Sequence, residues 1–140
     1  METRHFVVAA AIGSAVVLAG CSTPEPALGG TTATVSIDGN EVAGAHPVRC
    51  HQSGWSWYIE TPEQDNGFTA VLETGGSVTP KSVLFRGFGG FTGTYWADNI
   101  GDAEVTGVGG MYTITGSANG NFTDDPMKEV TAKFKIQANC

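Results

Sequence analysis

The sequence predicts an all-β domain of about eight short antiparallel strands, arranged as a sandwich or as a partly open half-barrel. Its composition supports this, because 20 glycines and a charged fraction of only 15% accompany many threonines and valines. Short segments that alternate polar and apolar side chains recur between glycine-containing turns. Long amphipathic helical stretches are absent from the sequence, so we expect few helices.

The first predicted hairpin begins after Ala33. Residues 34–37 alternate polar and apolar side chains, as expected of a strand with one buried face. Asp38 and Gly39 then form the strongest short turn signal in the chain, and residues 41–42 lead back.

A second strand is predicted around the tryptophan pair. Because side chains alternate between the faces of a strand, Trp55, Trp57 and Ile59 should share one face, while Tyr58 lies on the other. Both faces of this strand therefore carry large rings.

The remaining strands are separated by glycine-rich turns. Gly75 and Gly76 mark one turn, and the glycine-rich residues 87–91 predict a bulge, a tight bend or a loop. Only residues 124–129 leave room for a helical turn. Further strands are predicted at residues 68–74, 82–86, 92–97, 103–108, 112–118 and 130–139.

The last strand has the clearest alternation in the sequence. Such a pattern indicates a half-buried antiparallel strand. Its apolar face is predicted to hold Val130, Ala132, Phe134, Ile136 and Ala138. Its polar face is predicted to hold Thr131, Lys133, Lys135, Gln137 and Asn139.

Residues 1–20 are predicted to be a signal peptide. Arg4 supplies a positive charge, and residues 6–18 form an almost uninterrupted apolar run. This run is too short to cross a hydrocarbon core of about 30 Å as a permanent helix, but it suits the apolar region of an export signal. Its last residue, Leu18, and the following Ala19, Gly20 and Cys21 together resemble the bacterial lipobox.

Cys21 is the predicted site of lipidation. Small Ala19 and Gly20 give a peptidase access to the backbone, and the thiol after the cut accepts a diacylglycerol through a thioether. Two or three acyl chains, such as palmitate, hold a protein to a membrane more stably than one chain. We therefore expect cleavage before Cys21 and anchoring on the extracytoplasmic face of the cell membrane. The alternatives are cleavage elsewhere or an uncleaved segment.

The predicted organisation is a lipidated tether over residues 21–32 followed by one domain over residues 33–140. The tether contains two prolines and two glycines among small polar residues, a composition typical of a flexible spacer. Its threonines, Thr23, Thr31 and Thr32, are candidates for glycosylation, and an unmodified linker is the alternative. Without residues 1–20, the remaining 120 of 140 residues suffice for one domain.

Three cysteines are present, and lipidation uses one of them. Cys50 and Cys140 remain as an even pair in an exported domain, where the environment permits oxidation. We predict a disulfide that closes a loop of about 90 residues. Two free thiols are the alternative.

The charge pattern excludes some partners. The formal net charge is −7 and there is no basic cluster, which argues against nucleic acid and against charge-driven binding to anionic headgroups. We expect a monomer whose principal partner is the membrane, contacted through the acyl chains on Cys21.

No residue pattern specifies a reaction. The spacing of His46, Cys50 and His51 matches no closed zinc site, and Cys50 is better used in a disulfide. The glycines of residues 87–93 lack the lysine of a phosphate-binding loop, and the acidic pair at 124–125 belongs to a turn. We therefore expect neither catalytic residues nor a metal or other cofactor.

The aromatic side chains leave two interpretations open. They form the core, or some of them line a groove in an open barrel that takes an acyl chain or a glycolipid. The candidate lining residues are Trp55, Trp57, Phe88 and Trp96.

Several short motifs recur in an order typical of one family. The segment Ile37-Asp38-Gly39 follows the tether, and Cys50 precedes a strand. Further motifs are found at residues 67–72, 81–83, 112–120 and 126–127, before the terminal Cys140. Their order and spacing resemble the mycobacterial LpqH-type lipoprotein antigens over nearly the whole mature chain.

The resemblance implies lipidation of Cys21, a disulfide between Cys50 and Cys140, and no catalytic residues. It also implies a surface-displayed antigen that host Toll-like receptors sense through the lipidated N-terminus, with an adhesin role in some members. The chain departs from the family pattern in its shorter tether and in its additional tryptophans.

Overall fold

The structure is a computed structural model that describes residues 31–140. The predictions for the signal peptide, the lipobox, the lipidation of Cys21 and most of the tether lie outside the described residues.

All ten described strands belong to one antiparallel sheet, with the order β2-β1-β10-β9-β7-β6-β5-β4-β3 and with β8 paired to β9. The all-β prediction is therefore confirmed. The strands are β1 Thr32–Ile37, β2 Asn40–Pro47, β3 Arg49–Ser53, β4 Ser56–Glu60, β5 Gly67–Glu73, β6 Thr79–Phe88, β7 Phe91–Trp96, β8 Asp102–Val108, β9 Met111–Phe122 and β10 Asp125–Asn139.

The sheet is a nearly closed half-barrel rather than a sandwich. Its two edge strands, β2 and β3, are consecutive in the chain and are separated only by Val48. The sheet must therefore curl until its edges approach each other, as in a barrel. Val48 is buried at this junction, and its N–H donates to the carbonyl of Thr31 over 3.0 Å.

A disulfide joins Cys50 on β3 to Cys140, which follows β10. The predicted pairing is confirmed. Because β3 is an edge strand and β10 lies inside the sheet, the bond fastens one edge to a distant part of the same sheet.

The concave side of the sheet is filled by side chains from several strands, including Ala70 and Leu72 of β5. Phe85 lies at the centre, with its ring centroid 6.3 Å from Phe68, 5.8 Å from Phe91 and 5.4 Å from Phe134. The inward faces predicted for residues 68–72 and for the last strand are confirmed, since Ala132 to Ala138 are buried at alternate positions.

Strand β9 pairs with three neighbours. It lies along β10 on one side, and on its other side its first half pairs with β8 and its last half with β7. Two glycines permit this close approach, because a Cβ at Gly116 would collide with the carbonyl of Asp102 and one at Gly120 with that of Thr92. Strands β7 and β8 therefore pair with successive parts of the same edge of β9. Residues 97–101 connect the two strands and leave a gap between them.

Two local predictions concern irregular segments. The glycine-rich segment forms both a bulge and a turn, because the register of β6 shifts between Phe85 and Phe88 and the turn residues Gly89 and Gly90 have positive φ. A helical turn at residues 124–129 was a wrong prediction. Asp125 pairs with Phe122 across a tight turn, so the segment joins the sheet as the start of β10.

Two further differences concern β3 and β4. Strand β3 was not predicted, because it is an edge strand with mostly exposed side chains and lacks an apolar face. The predicted placement of Trp55 on a strand was also wrong. Gly54 has φ +59 and forms a turn with Trp55, so β4 begins at Ser56.

Candidate functional site

The four predicted lining residues do not share one surface. Phe88 is buried in the core against Phe68, with ring centroids 5.5 Å apart. Trp57 is half-buried on the concave side, with its ring centroid 6.2 Å from that of Tyr112. Trp55 projects from the β3–β4 turn and is 71% exposed.

Trp96 faces the opposite side of the sheet from Trp57. Along β7, Phe91, Gly93 and Tyr95 are buried while the intervening residues turn outwards, and Trp96 is 54% exposed. A single cavity cannot be lined by Trp57 and Trp96, because the sheet lies between them.

The gap between β7 and β8 opens a cleft in the wall of the half-barrel. It has a volume of about 450 Å³. It lies beside the first residues of β6, which precede Ser82 and are not paired with β7. We call this cleft the notch. The residues that matter for its chemistry are Glu73, Lys81, Tyr95, Trp96 and Asp98.

The notch combines one large aromatic surface with charged side chains. On one wall, Lys81 Nζ lies 3.0 Å from Glu73 Oε2, so these two charges pair. An exposed ion pair of this kind contributes about 0–1 kcal/mol to stability. The two side chains can therefore separate to contact a ligand with little loss of stability. Asp98 supplies a further carboxylate on the opposite wall, next to Trp96.

Tyr95 joins the two walls of the notch. Its hydroxyl donates to the carbonyl of Pro80 over 3.1 Å. Burial raises the pKa of the Tyr95 phenol above its ordinary value, and the negative charges of Asp98 and Asp102 raise it further. The phenol therefore stays neutral and continues to donate at physiological pH.

The turn at the end of β7 has a defined backbone. The N–H of Trp96 donates to the carbonyl of Ile100 over 2.8 Å, and Asn99 Nδ2 donates to the carbonyl of Ala97 over 2.9 Å. Asp98 has φ 62, a left-handed conformation that aspartate tolerates better than most residues. These bonds fix the backbone of the turn that carries Trp96 and Asp98.

The cysteine and histidines considered for metal binding have structural contacts instead. Cys50 is in the disulfide. His46 packs edge-on against Phe88 with ring centroids 4.8 Å apart, and His51 stacks on Tyr58 at 4.9 Å. Within residues 31–140, no group of three His, Cys, Asp or Glu side chains is placed to hold a metal ion.

Of the four lining residues predicted from the sequence, only Trp96 belongs to the notch. Glu73, Lys81, Tyr95 and Asp98 are ordinary strand and turn residues in the sequence, and no local pattern marks them. They meet because β7 and β8 share one edge of β9, which is a property of strand pairing.

Comparison with known proteins connects this fold to one family. The family model of the Mycobacterium 19 kDa lipoprotein antigen matches residues 26–140. A protein of Mycobacterium indicus pranii described as a lipoprotein is 33% identical over 138 residues, which cover 98% of this chain and 99% of that protein.

Two other relatives carry names. LppE of Mycobacterium tuberculosis, also described as a lipoprotein, is 32% identical over 109 residues, covering 77% of each chain. Lipoprotein LpqH of Mycobacterium bovis is 32% identical over 107 residues, which cover 76% of this chain and 67% of LpqH. The chain belongs to the Mycobacterium 19 kDa lipoprotein antigen family.

As a member of the 19 kDa antigen family, the chain is a membrane-anchored surface lipoprotein of the cell envelope. This family is one of lipoprotein antigens and is not a known enzyme family. The likeness to LpqH-type antigens inferred from the sequence motifs is thereby confirmed. No helix in residues 31–140 is long and apolar enough to cross a membrane.

Proposed function

We propose that acyl chains on Cys21 hold this protein on the extracytoplasmic face of the membrane, where its β-domain is displayed as a monomeric, adhesin-like interaction module without catalytic activity. The observation that carries the proposal is the lipobox-like Leu18-Ala19-Gly20-Cys21 directly after an apolar run. Membership of a lipoprotein antigen family supports it. The aromatic packing of the core around Phe85 supports a display role over transport of an apolar cargo in the interior.

Replacing the acceptor thiol tests the anchor. In Cys21→Ala the thioether cannot form, so we expect complete loss of acylation and of partition into the detergent phase, measured by intact mass and phase separation. Stimulation of Toll-like receptors by the purified protein should be lost in the same variant.

Thr23→Ala is the matched control, because it changes the tether two residues away and leaves the thiol intact. This variant should remain acylated and stimulatory. Retention of the acyl chains in Cys21→Ala, or of receptor stimulation without them, would refute the proposal.

A second candidate function is the binding of an envelope glycolipid through its sugar headgroup at the notch. An exposed indole suits the apolar face of a sugar ring, and Glu73, Lys81 and Asp98 suit its hydroxyl groups. This lining fits a sugar better than an acyl chain, because an apolar ligand in the notch would cover the charged side chains without forming hydrogen bonds to them.

Titration of the full chain with a fatty acid, a phospholipid and a glycolipid headgroup separates these candidates. If the notch binds sugar, only the headgroup should change tryptophan fluorescence and raise Tm in proportion to its concentration. Trp96→Ala should abolish both responses, whereas Trp55→Ala, a comparably exposed control, should keep the rise in Tm. A response to the fatty acid that needs Trp57 would instead support an acyl-chain carrier.

A further inference from the structure

Several strand ends meet at the end of the half-barrel where the chain enters the described fold. Thr32, the first residue of β1, pairs with Asn139 of β10, and Asn139 pairs with Met111 of β9. Met111 in turn pairs with Val108 of β8. The entry point of the tether and the tip of the β8–β9 hairpin therefore lie in one row across neighbouring strands, about 15 Å apart at 4.8 Å per strand.

The β3–β4 turn belongs to the same end. The N–H of Cys140 donates to the carbonyl of Gly110 over 2.8 Å, and the disulfide then ties Cys140 to Cys50. From Cys50, β3 leads directly to the turn of Trp55, whose carbonyl accepts a 2.8 Å hydrogen bond from the N–H of Thr74 in the β5–β6 loop. We call this rim the Thr32 end, comprising Thr32 and residues 53–56, 74–78 and 108–111.

The Thr32 end carries exposed apolar side chains at its turns. Val108 is 81% exposed, Trp55 71% and Met111 48%. These are three of the six large apolar side chains that are exposed within the described part of the chain. Turn tips have no need of large apolar residues for folding, and such side chains in water gain free energy by entering an apolar phase.

Charged side chains are concentrated at the other end of the half-barrel. None of residues 53–56, 74–78 and 108–111 has a charged side chain, and the adjacent Glu73, which pairs with Ser56, is neutralised by Lys81 at 3.0 Å. Because the strands alternate in direction, the β1–β2, β4–β5 and β9–β10 connections lie at the other end, which we call the Asp38 end. That end carries the carboxylates of Asp38, Glu41, Glu63, Asp65, Asp124, Asp125 and Glu129, which outnumber the cations Arg86, Lys128, Lys133 and Lys135.

We propose that the Thr32 end rests on the lipid surface, with Val108, Met111 and Trp55 entering the interface. The proposal rests on acylation of Cys21, the proposed function. Thr32 lies eleven positions after Cys21, so the tether spans at most about 40 Å. A contact too weak to recruit a free domain becomes effective under such tethering, because the local concentration is high.

Electrostatics selects the same orientation. Anionic headgroups repel the carboxylates of the Asp38 end, whereas the uncharged Thr32 end approaches them without this penalty. An indole at a turn tip suits the membrane interface, since its ring is apolar and its N–H still reaches polar groups. The domain therefore presents its acidic end away from the membrane.

Depth-dependent fluorescence quenching tests the orientation. The acylated full chain is placed on vesicles of phosphatidylcholine and phosphatidylglycerol, with or without bromine on the acyl chains near the headgroup. Trp57→Phe combined with Trp96→Phe leaves Trp55 as the sole tryptophan, and Trp55→Phe combined with Trp57→Phe leaves Trp96. We expect bromine to remove most of the emission of Trp55 and little of that of Trp96.

Two charged substitutions refine the test. Val108→Asp on the Trp55-only chain should restore the emission of Trp55, because a carboxylate at the tip opposes entry into the interface. Met127→Asp is the matched control, since Met127 is 93% exposed and lies at the Asp38 end, and it should change nothing.

Flotation with the vesicles is measured first in every sample. Failure to float would count against acylation at Cys21 and hence against the proposed function. Flotation with Trp55 unquenched, or with Trp96 quenched more strongly than Trp55, would overturn the orientation alone. Flotation with Trp55 quenched and sensitive to Val108→Asp supports it.

Discussion

Loss of the Cys50–Cys140 bond, by reduction or by Cys140→Ser, is expected to lower the free energy of unfolding by up to roughly 4–5 kcal/mol. The bond spans 90 residues of sequence, so its loss releases a large amount of chain entropy in the unfolded state. A typical domain is stable by only about 5–15 kcal/mol, so the change removes a large share of the total.

The structure indicates where this loss acts. The bond holds the edge strand β3 against the end of β10, and β10 carries Phe134 and Ile136 into the core between β1 and β9. Without the bond, β3 retains pairing only with β4, and the closure of the half-barrel depends on the junction at Val48. Loosening should therefore begin at β3 and at the final strand.

Urea unfolding of the full chain with and without reductant measures the effect. A chain with both Cys50→Ser and Cys140→Ser should unfold at the midpoint of the reduced protein and ignore reductant. Equal midpoints for the oxidised and reduced protein would contradict the expectation. So would two titratable thiols in denatured, unreduced Cys21→Ala protein.

Truncation of the central ring, Phe85→Ala, is expected to cost about 3–5 kcal/mol. Phe85 is fully buried and its ring contacts Phe68, Phe91 and Phe134, which come from three other strands. Removal of the ring leaves a cavity, and strands in a closely curved sheet cannot shift independently to fill it. We therefore expect the full loss of about 3–5 kcal/mol that is typical of such substitutions. Equilibrium unfolding by urea measures the difference.

The neighbouring residue provides a matched control. Leu84 lies on the same strand but faces outwards and is 41% exposed, so Leu84→Ala should cost far less than Phe85→Ala. Equal losses for the two variants would mean that β6 does not have the inward and outward faces described above.

The notch and the Thr32 end are compatible on one membrane-bound domain. Thr94, two residues before Trp96, pairs with Asn119, which lies eight residues along β9 from Met111. At about 3.3 Å per residue, Trp96 lies roughly 20 Å along β9 from Met111, whereas Glu73 and Thr79 on the other side of the notch flank the β5–β6 loop of the Thr32 end. We therefore expect the notch to lie beside the headgroup layer, within reach of large headgroups, when the Thr32 end lies on the lipid.

Local sequence patterns determined much of the fold. The alternation in the last strand predicted which side of β10 is buried, because a strand with one wet face requires a period of two. The Asp38-Gly39 turn and the glycine-rich segment before Phe91 were predicted from the backbone conformations that these residues tolerate. The even pair Cys50 and Cys140 followed from the one cysteine that the anchor requires.

Other features depended on the tertiary structure. Strand β3 and the first residues of β10 have no apolar period, and pairing with neighbours alone makes them strands. The choice of a half-barrel over a sandwich depends on β2 and β3 forming both edges of the sheet with one residue between them.

The residues that meet at the candidate functional surfaces also depended on the tertiary structure. Trp55, Trp57 and Trp96 are alike in the sequence, yet they lie at a turn tip, half-buried against the core and at a cleft. Their surroundings come from segments distant in the chain, such as the loop of Thr74 beside Trp55 and the strand of Lys81 beside Trp96. Sequence periodicity reports which face of a strand a residue occupies, whereas strand pairing alone decides what that face meets.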